Sequence, residues 1–556
     1  MIPGFVLSTK SAYDLSCTME LPAPTSSTLR VRLLLVLITT TALALRVGWL
    51  WYLARPEDIA VDPDGYWRAA RLLLRTGEWR WTFGAVRYPY LGHEYLLPPL
   101  YPAFLSLFQR QDLALVVQAM LSAACCPLLF ITARRVHSER AGLIAATIWA
   151  IWAPSIVGTM VFMQEALHIP LLVAGFAALP PLAQTSSALR FLVAGVLLGC
   201  AALARSMPLY FMPVASAFLL WIRRPARTAA AFVIALLGGF LIAAGPYSLS
   251  ASLKNARVVL IENHGGITAG EYVGVHQGGG SPKASAAIQT YLEGAFASPV
   301  QFAATWWRFA RSLAYVSGGR LIETYVSAST RQIARLEKLA FHFSTDFLFI
   351  SCLALAPFGL VLARRSADAV MLGLWVLCAV VLTGLAAHGG ARYRSPIEPF
   401  LIVLASIALA GGWRRVTRPL FAAAGVGTLL LLWLVLPQVP VALEGTAEYG
   451  VLERHAVNGH SQLVVAGQAG LHVTPMNGRI QFELATATAG DRPLNVEIRV
   501  DGSHVATADI VPGAQQKLDY LWSQPGTAFL ELSSGAVTGK SLRVTLPSAT
   551  SSSQQP

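Results

Sequence analysis

Residues 31–67, VRLLLVLITTTALALRVGWLWYLARPEDIAVDPDGYW, run from an apolar stretch straight into an acidic segment, Asp62-Pro63-Asp64-Gly65-Tyr66-Trp67. The apolar stretch, Val31 to Leu53, is long enough to cross a hydrocarbon core, which takes about 20 helical residues. The acidic segment then lies just beyond the membrane. Carboxylates held close to a bilayer, in a chain otherwise apolar and basic, need a physical reason, and a catalytic base working at the membrane surface supplies one.

Working outward, the pattern of the first stretch recurs along most of the chain. The protein has 556 residues, 55% of them hydrophobic and 13% charged. That balance excludes a disordered chain and disfavours a soluble globular class. About eleven spans are predicted: at 31–53, 112–133, 141–158, 164–183, 190–204, 207–222 and 228–247, one reaching Arg364-Arg365, one ending before His388, one from Pro399 to Trp413, and one at 419–436. The net charge of +13 does not point to nucleic acid. Its basic residues sit in short clusters between apolar runs: Arg134-Arg135, Arg223-Arg224, Arg364-Arg365 and Arg414-Arg415. Clusters at alternate loops are the positive-inside pattern, and they all fall on one side of the predicted topology. This puts the amino terminus in the cytoplasm and the carboxyl terminus outside, with membrane lipids as partners and a bacterial inner membrane as the expected location.

The predicted organisation is a cytoplasmic tail at 1–29, a transmembrane domain at 30–444 with external loops at 54–111 and 248–345, an external β-sandwich at 445–548, and a disordered tail at 549–556. The sandwich is read from short alternating runs at 479–484, 494–500, 528–532 and 542–546, with Asp501-Gly502 as a hairpin turn. Tyr520 and Trp522 are its one suggestive pair for glycan contact. Five of the six cysteines, Cys125, Cys126, Cys200, Cys352 and Cys378, lie in apolar runs, and with Cys17 none has metal-ligand spacing.

Residues 65–76 read as a short amphipathic helix. Arg68, Arg71 and Arg75 share one face, while Tyr66, Ala69, Ala70 and Leu73 line another, expected to lie in lipid. Asp64 is placed to cap that helix; Asp62 has no such task and is favoured for chemistry. Further polar residues gather on the same external side: Glu165 at the mouth of the fourth span, Arg205 at the end of the fifth, and His388, Arg392, Tyr393 and Arg394 between the ninth and tenth. Acids with arginines suit sugar transfer from a polyprenyl phosphate. A base takes the acceptor's proton, and guanidinium forks hold the departing phosphate. No P-loop or GxGxxG is present to serve a nucleotide.

Asp62-Pro-Asp-Gly-Tyr-Trp-Arg-Ala-Ala-Arg, then Gly77 and Pro98-Pro99-Leu100-Tyr101-Pro102, resembles the first periplasmic loop of GT-C membrane glycosyltransferases, in the protein-mannosyltransferase and aminoarabinose-transferase group. That loop begins with an acid four residues before a Tyr and closes on Pro-Pro-Leu. Counted so, Asp62 takes the catalytic position and Asp64 does not. Glu165 matches an acid opening a later span, Leu203-Ala204-Arg205 a Leu-Thr-Arg element, and Arg392-Tyr393-Arg394-Ser395-Pro396 a late Arg-Tyr-x-x-Pro element. The aminoarabinose transferases carry Glu-Lys before Pro-Pro-Leu, where this chain has Leu96-Leu97. The resemblance covers roughly residues 30–440.

Together these readings predict an inverting glycosyltransferase, GT-C-like, that moves a sugar from a polyprenyl phosphate to a glycan, lipid or protein hydroxyl outside the cytoplasm. Asp62 is the expected base, with Asp64 and Glu165 as further catalytic acids. Arg205, His388, Arg392, Tyr393, Arg394, Tyr66 and Arg71 are the expected substrate contacts. No obligatory cofactor is expected; a divalent cation held by Asp62, Asp64 and Glu165 is the alternative. A lipid-linked-sugar flippase or polysaccharide transporter would instead place charges deep in the bundle, and a membrane-anchored glycan-binding protein would put the function in the sandwich.

Overall fold

The computed structural model describes residues 26–53, 65–76, 98–182, 187–223, 225–255, 258–261, 343–385, 391–411 and 417–435, a few positions between 293 and 313, and the strands and some connecting residues between 449 and 546. Asp62, Asp64, His388 and Trp522 lie outside the described residues, as do the tails at 1–25 and 547–556 and most of the second external loop.

Apolar helical segments stand where the eleven spans are predicted. They are α1 (Ser26–Leu53), followed after two short helices, α2 (Tyr66–Thr76) and α3 (Leu100–Ser106), by α4 (Gln111–Val136) and a bent pair, α5 (Glu139–Ala150) and α6 (Ala153–Val157). Then come α7 (Glu165–Ala178), α8 (Ala188–Ala204), α9 (Met207–Ile222) and α10 (Ala226–Asn255). The last group is α11 (Leu348–Leu362), α12 (Ala367–Leu385), α13 (Glu398–Ala410) and α14 (Arg418–Val435). Among the described residues four of these are long and apolar enough to cross a membrane alone, and the bent pair would make a fifth span. The others are shorter apolar helices. The chain is thus a helical membrane protein. The first helix begins at Ser26, inside the predicted tail, and α10 runs eight residues past the predicted end at 247.

Two features of the sequence fix the packing. Small residues let backbones approach where apolar burial alone drives little association in lipid. A Cβ on Gly195 would stand 2.1 Å from the Leu236 carbonyl oxygen, and one on Gly239 2.1 Å from that of Leu192. These two glycines weld α8 to α10. Gly359 does the same between α11 and α13, 1.8 Å from the Leu404 carbonyl. The second feature is Arg46, wholly buried in α1. The bend of 54° between α5 and the following segment frees carbonyls that a continuous helix would satisfy. Arg46 donates to two of them, Trp149 (3.2 Å) and Ala150 (3.2 Å), and to Ala42 in its own helix (3.0 Å). Its Nε bonds Ser122 Oγ at 2.8 Å and Nη2 bonds Ser155 Oγ at 2.5 Å. Five bonds use all five guanidinium donors.

Two residues of the basic clusters, Arg135 and Arg223, meet near the carboxyl end of α7 and make fixed contacts there. Arg135 forms an ion pair with Asp368 (3.0 Å), the Leu182 amide donates to Asp368 Oδ2 (3.3 Å), and Arg223 donates to the Pro181 carbonyl (3.4 Å). His137 Nε2 meets the Gly411 carbonyl at 3.2 Å.

Beyond the helices eight antiparallel strands form one hydrogen-bonded sheet: β1 (Tyr449–Val457), β2 (His460–Val473), β3 (Arg479–Thr486), β4 (Leu494–Val500), β5 (Ser503–Ile510), β6 (Gln515–Leu521), β7 (Ala528–Ser534) and β8 (Leu542–Leu546). The long β2 is shared: Ser461–Val465 pairs β8, and Gln468–Val473 pairs β7. One wing is therefore β8-β3-β6 and the other β7-β4-β5. Both wings bury side chains in a single core, Phe482 and Val544 from the first and Ile498 and Leu532 from the second. Val500 pairs with Ser503, on either side of the predicted Asp501-Gly502 turn, which lies outside the described residues. Tyr520 sits beside Phe482, ring centroids 6.1 Å apart.

Candidate active site

At the amino end of α7, away from Arg135 and Arg223, four stretches distant in sequence meet. The first is α2. Its apolar face does not lie in lipid as predicted: Tyr66 is 3% exposed and Ala70 wholly buried. Both belong to a second core with Tyr101, Phe162 and Leu167. Burying that face on protein is possible because α3 and the segment after α6 cover it. Tyr66 meets Tyr101 edge-on at 5.1 Å and Trp67 stacks on Phe162 at 5.1 Å.

The start of α2 also corrects the capping assignment. The Ala69 amide donates to the Gly65 carbonyl at 2.9 Å. The residue whose carbonyl accepts the first helical bond is the N-cap, so Gly65, not Asp64, holds that position. Its φ of 73° lies in the left-handed region that glycine adopts freely. Asp64 itself lies outside the described residues, and the choice between the two acids rests on the spacing.

The second stretch is the start of α7. Tyr66 Oη donates to Gln164 Oε1 at 2.9 Å, which ties the helix following the acidic segment to the residue before Glu165. Glu165 sits in the first turn of α7 and is buried. The third stretch is the end of α8, where Arg205 occupies the C-cap. Arg205 Nη1 donates to Glu165 Oε1 at 2.7 Å, and both side chains are about nine-tenths buried. Burying an ion pair costs solvation unless geometry and further bonds return it. A Cap residue ending its helix in extended backbone lets the guanidinium turn across to the neighbouring helix.

The fourth stretch is the single helical turn Ala391–Arg394. The Arg205 guanidinium carbon stands 5.2 Å from the Tyr393 ring centroid, within the range of a cation–π contact. Arg394 points elsewhere. It is 1% exposed, lies over the Phe349 ring at 3.8 Å, and its Nε donates to Glu398 Oε1 at 2.8 Å. Glu398 Oε2 in turn accepts from Trp152 Nε1 at 2.8 Å. Arg394 thus anchors the turn that carries Tyr393 and presents no surface to a substrate. Arg392 belongs to the same turn; Asp62, Asp64 and His388 fall outside the described residues. Arg71 stacks on Trp67 at 4.1 Å and donates to the Phe108 carbonyl, a hold on α3 rather than an open guanidinium. A divalent ion at Glu165 would meet the Arg205 charge already paired there.

Sequence reading did not single out Gln118, Glu398, His168 or Arg46. Gln118 is wholly buried, accepts from Tyr101 Oη and donates to the Thr159 carbonyl at 3.1 Å. For each the available signal was the same: a polar or charged residue inside an apolar run, which needs a partner.

Residues 97–247 match the family model described as dolichyl-phosphate-mannose-protein mannosyltransferase. The matched stretch contains Tyr101, Gln164, Glu165 and Arg205. The match spans 151 of the 556 residues, about a quarter of the chain. The matched segment supplies the ion pair, while Tyr66 and Tyr393 come from outside it. Among solved structures, the archaeal oligosaccharyltransferase AglB from Archaeoglobus fulgidus, in complex with an inhibitory peptide and a dolichol-phosphate, is 14% identical with a TM-score of 0.41, over 76% of this chain and 56% of its own. ArnT from Cupriavidus metallidurans in the apo state is 15% identical with a TM-score of 0.40, over 75% of this chain and 65% of its own. The chain therefore spans little more than half the length of the archaeal protein. Likenesses this distant transfer neither a substrate nor a residue's role. No curated protein matches the chain.

Proposed function

We propose that this GT-C protein transfers a glycosyl group from a polyprenyl-phosphate sugar to an acceptor hydroxyl outside the cytoplasm, with inversion. One observation carries the reading: the buried Glu165–Arg205 pair stands where the helix following the acidic segment, the mouth of α7 and the Tyr393 turn converge. Glu165 Oε1 accepts from Nη1 of the Arg205 guanidinium. Its other nitrogens suit a phosphate oxygen, and Glu165 fixes the fork's direction. Arg392, two residues before Arg394 on the anchored turn, is the second phosphate contact. As the bond from the anomeric carbon to the phosphate oxygen breaks, these cations take up the developing charge.

Asp62 is the base that removes the acceptor's proton as its oxygen attacks the opposite face of the anomeric carbon. The spacing of four residues to Tyr66 favours Asp62 over Asp64. The sheet domain, read as an external sandwich, serves the acceptor side. The transporter reading gains nothing from the one deeply buried charge in α1, because every donor of Arg46 is used by fixed groups.

The test is transfer in membranes containing the full chain, with lipid-linked sugars followed by mass spectrometry. Asp62→Asn abolishes transfer at unchanged expression, while Asp64→Asn keeps it. The reverse pattern moves the base to Asp64, and full activity in both variants removes the acidic segment from the chemistry.

A further inference from the structure

One buried titratable group near this site has no part in the reaction above. His168 follows Glu165 by one turn of α7 and is wholly buried. Its Nδ1 stands 2.9 Å from the Ala201 carbonyl oxygen. A carbonyl only accepts, so Nδ1 carries the proton and Nε2 is left as the acceptor. Among the described residues Nε2 has no hydrogen-bond partner. The same Ala201 carbonyl also accepts the Arg205 amide at 2.9 Å, the last backbone bond of α8. The imidazole therefore grips the one carbonyl on which the Arg205 backbone is hung.

The geometry has a consequence for the ion pair. Glu165 and His168 lie on α7, and Ala201 and Arg205 lie on the last turn of α8. Two cross-links, Glu165 to Arg205 (2.7 Å) and His168 to Ala201 (2.9 Å), join the same two turns. A long guanidinium on a helix end has freedom that one ion pair does not remove. The second link sets the height of the α8 terminus against α7, and hence the position from which Arg205 reaches.

We infer that His168 is a positioning residue for the phosphate-binding guanidinium, acting through the Ala201 carbonyl and not by contact with substrate. The inference rests on the reading of Arg205 as a phosphate contact. It requires only the Nδ1 donor, so a side chain that keeps a donor at that place keeps the function. Asparagine does so, with its amide nitrogen standing in for Nδ1 and nothing in place of Nε2. Leucine fills similar space with no donor.

The experiment uses the full-length protein in lipid nanodiscs and undecaprenyl phosphate as the probe, with affinity measured for wild type, His168→Asn, His168→Leu, Arg205→Gln and the double variant His168→Leu/Arg205→Gln. His168→Asn is expected within about twofold of wild type, and His168→Leu about tenfold weaker, the equivalent of about 1.4 kcal/mol. In the Arg205→Gln background the His168→Leu loss is expected to vanish, because the residue acts through that guanidinium. Additive losses, or wild-type affinity in His168→Leu, overturn the inference. Failure of His168→Asn alongside His168→Leu overturns it too, since Nε2 would then be the working atom. If wild type itself binds no better than Arg205→Gln, the reading of Arg205 fails, and that outcome is distinct from the others.

Discussion

Two buried arginine–carboxylate pairs stand at opposite ends of α7, and they are built differently. Fourteen residues of α7 at about 1.5 Å each separate them by about 20 Å. At the basic end Arg135 pairs with Asp368 at 3.0 Å, and its terminal nitrogens go to backbone. They reach the carbonyls of Phe176 (3.0 Å), Ala177 (3.3 Å) and Leu179, the last groups of α7, which have no partner within the helix. Asp368 takes the Leu182 amide as well. That pair is a clamp on a helix end, spent on backbone. At the other end Arg205 meets one carboxylate and the face of a ring, and it shares its surroundings with three segments that arrive from loops. A guanidinium whose terminal nitrogens go to backbone holds a fold together; the one paired with a single acid is the one proposed above to receive an anion.

That contrast can be broken or sharpened by experiment. The largest effect is expected at the clamp. Arg135→Met leaves Asp368 buried beside three carbonyls without their donor and should lower stability by about 3–5 kcal/mol, read as thermal unfolding of the purified protein. The fraction that stays folded should bind undecaprenyl phosphate normally; lost affinity at unchanged unfolding temperature would dissolve the distinction between the ends. Arg205→Gln comes next. It should cost about a hundredfold in transfer, about 2.7 kcal/mol of transition-state stabilisation, with a smaller change in unfolding temperature. An equal collapse of both would make Arg205 a second clamp.

A middling effect is expected between the two ends, at the α8–α10 seam. Gly239→Ala drives a methyl into the Leu192 carbonyl, 2.1 Å away, and such overpacking costs about 1–3 kcal/mol. Since α8 carries Arg205, donor affinity should fall in step with stability; a change in one alone would show that the seam does not set the site. The smallest effect belongs to an exposed pair on the sheet. Arg479 Nε donates to Asp519 at 2.8 Å and holds that carboxyl below its usual range. A lowered carboxyl pKa contributes stability above the unfolded value, about 3.9, and loses it as pH falls through the folded one. Because both groups are open to water, Arg479→Ala should leave the unfolding temperature at neutral pH unchanged while moving the Asp519 carbon resonance titration upward. A shift in unfolding temperature at neutral pH would show the pair to be better shielded than its exposure indicates.

Much of this was legible beforehand because it is periodic or local. The apolar runs located the helices, since a span needs length and nothing else. Asp501-Gly502 marked its hairpin, because a two-residue turn demands those residue types. Glu165 and Arg205 stood at helix ends, where a charge in an apolar chain is conspicuous. Their being partners was not legible: the bond depends on α7 and α8 lying side by side at one height. The face of α2 was misjudged for a similar reason. Amphipathic spacing says that Tyr66 and Ala70 want an apolar neighbour, but not whether lipid or protein supplies it. The N-cap position falls on Gly65, one residue later than the sequence places it, because glycine adopts the left-handed turn freely.

The sequence by itself determined a membrane chain of many apolar helices followed by strands, with acids and arginines at helix ends suited to a phosphate-linked sugar. Composition and periodicity suffice for that, because hydrophobic burial and backbone hydrogen bonding act within each segment. Only the tertiary structure decided which partners each arginine takes. Arg135, Arg394 and Arg205 carry the same side chain beside a carboxylate. What separates them is whether helix ends, rings or loops occupy the remaining faces of the guanidinium. Those neighbours come from segments far apart in the chain, so no local pattern encodes them.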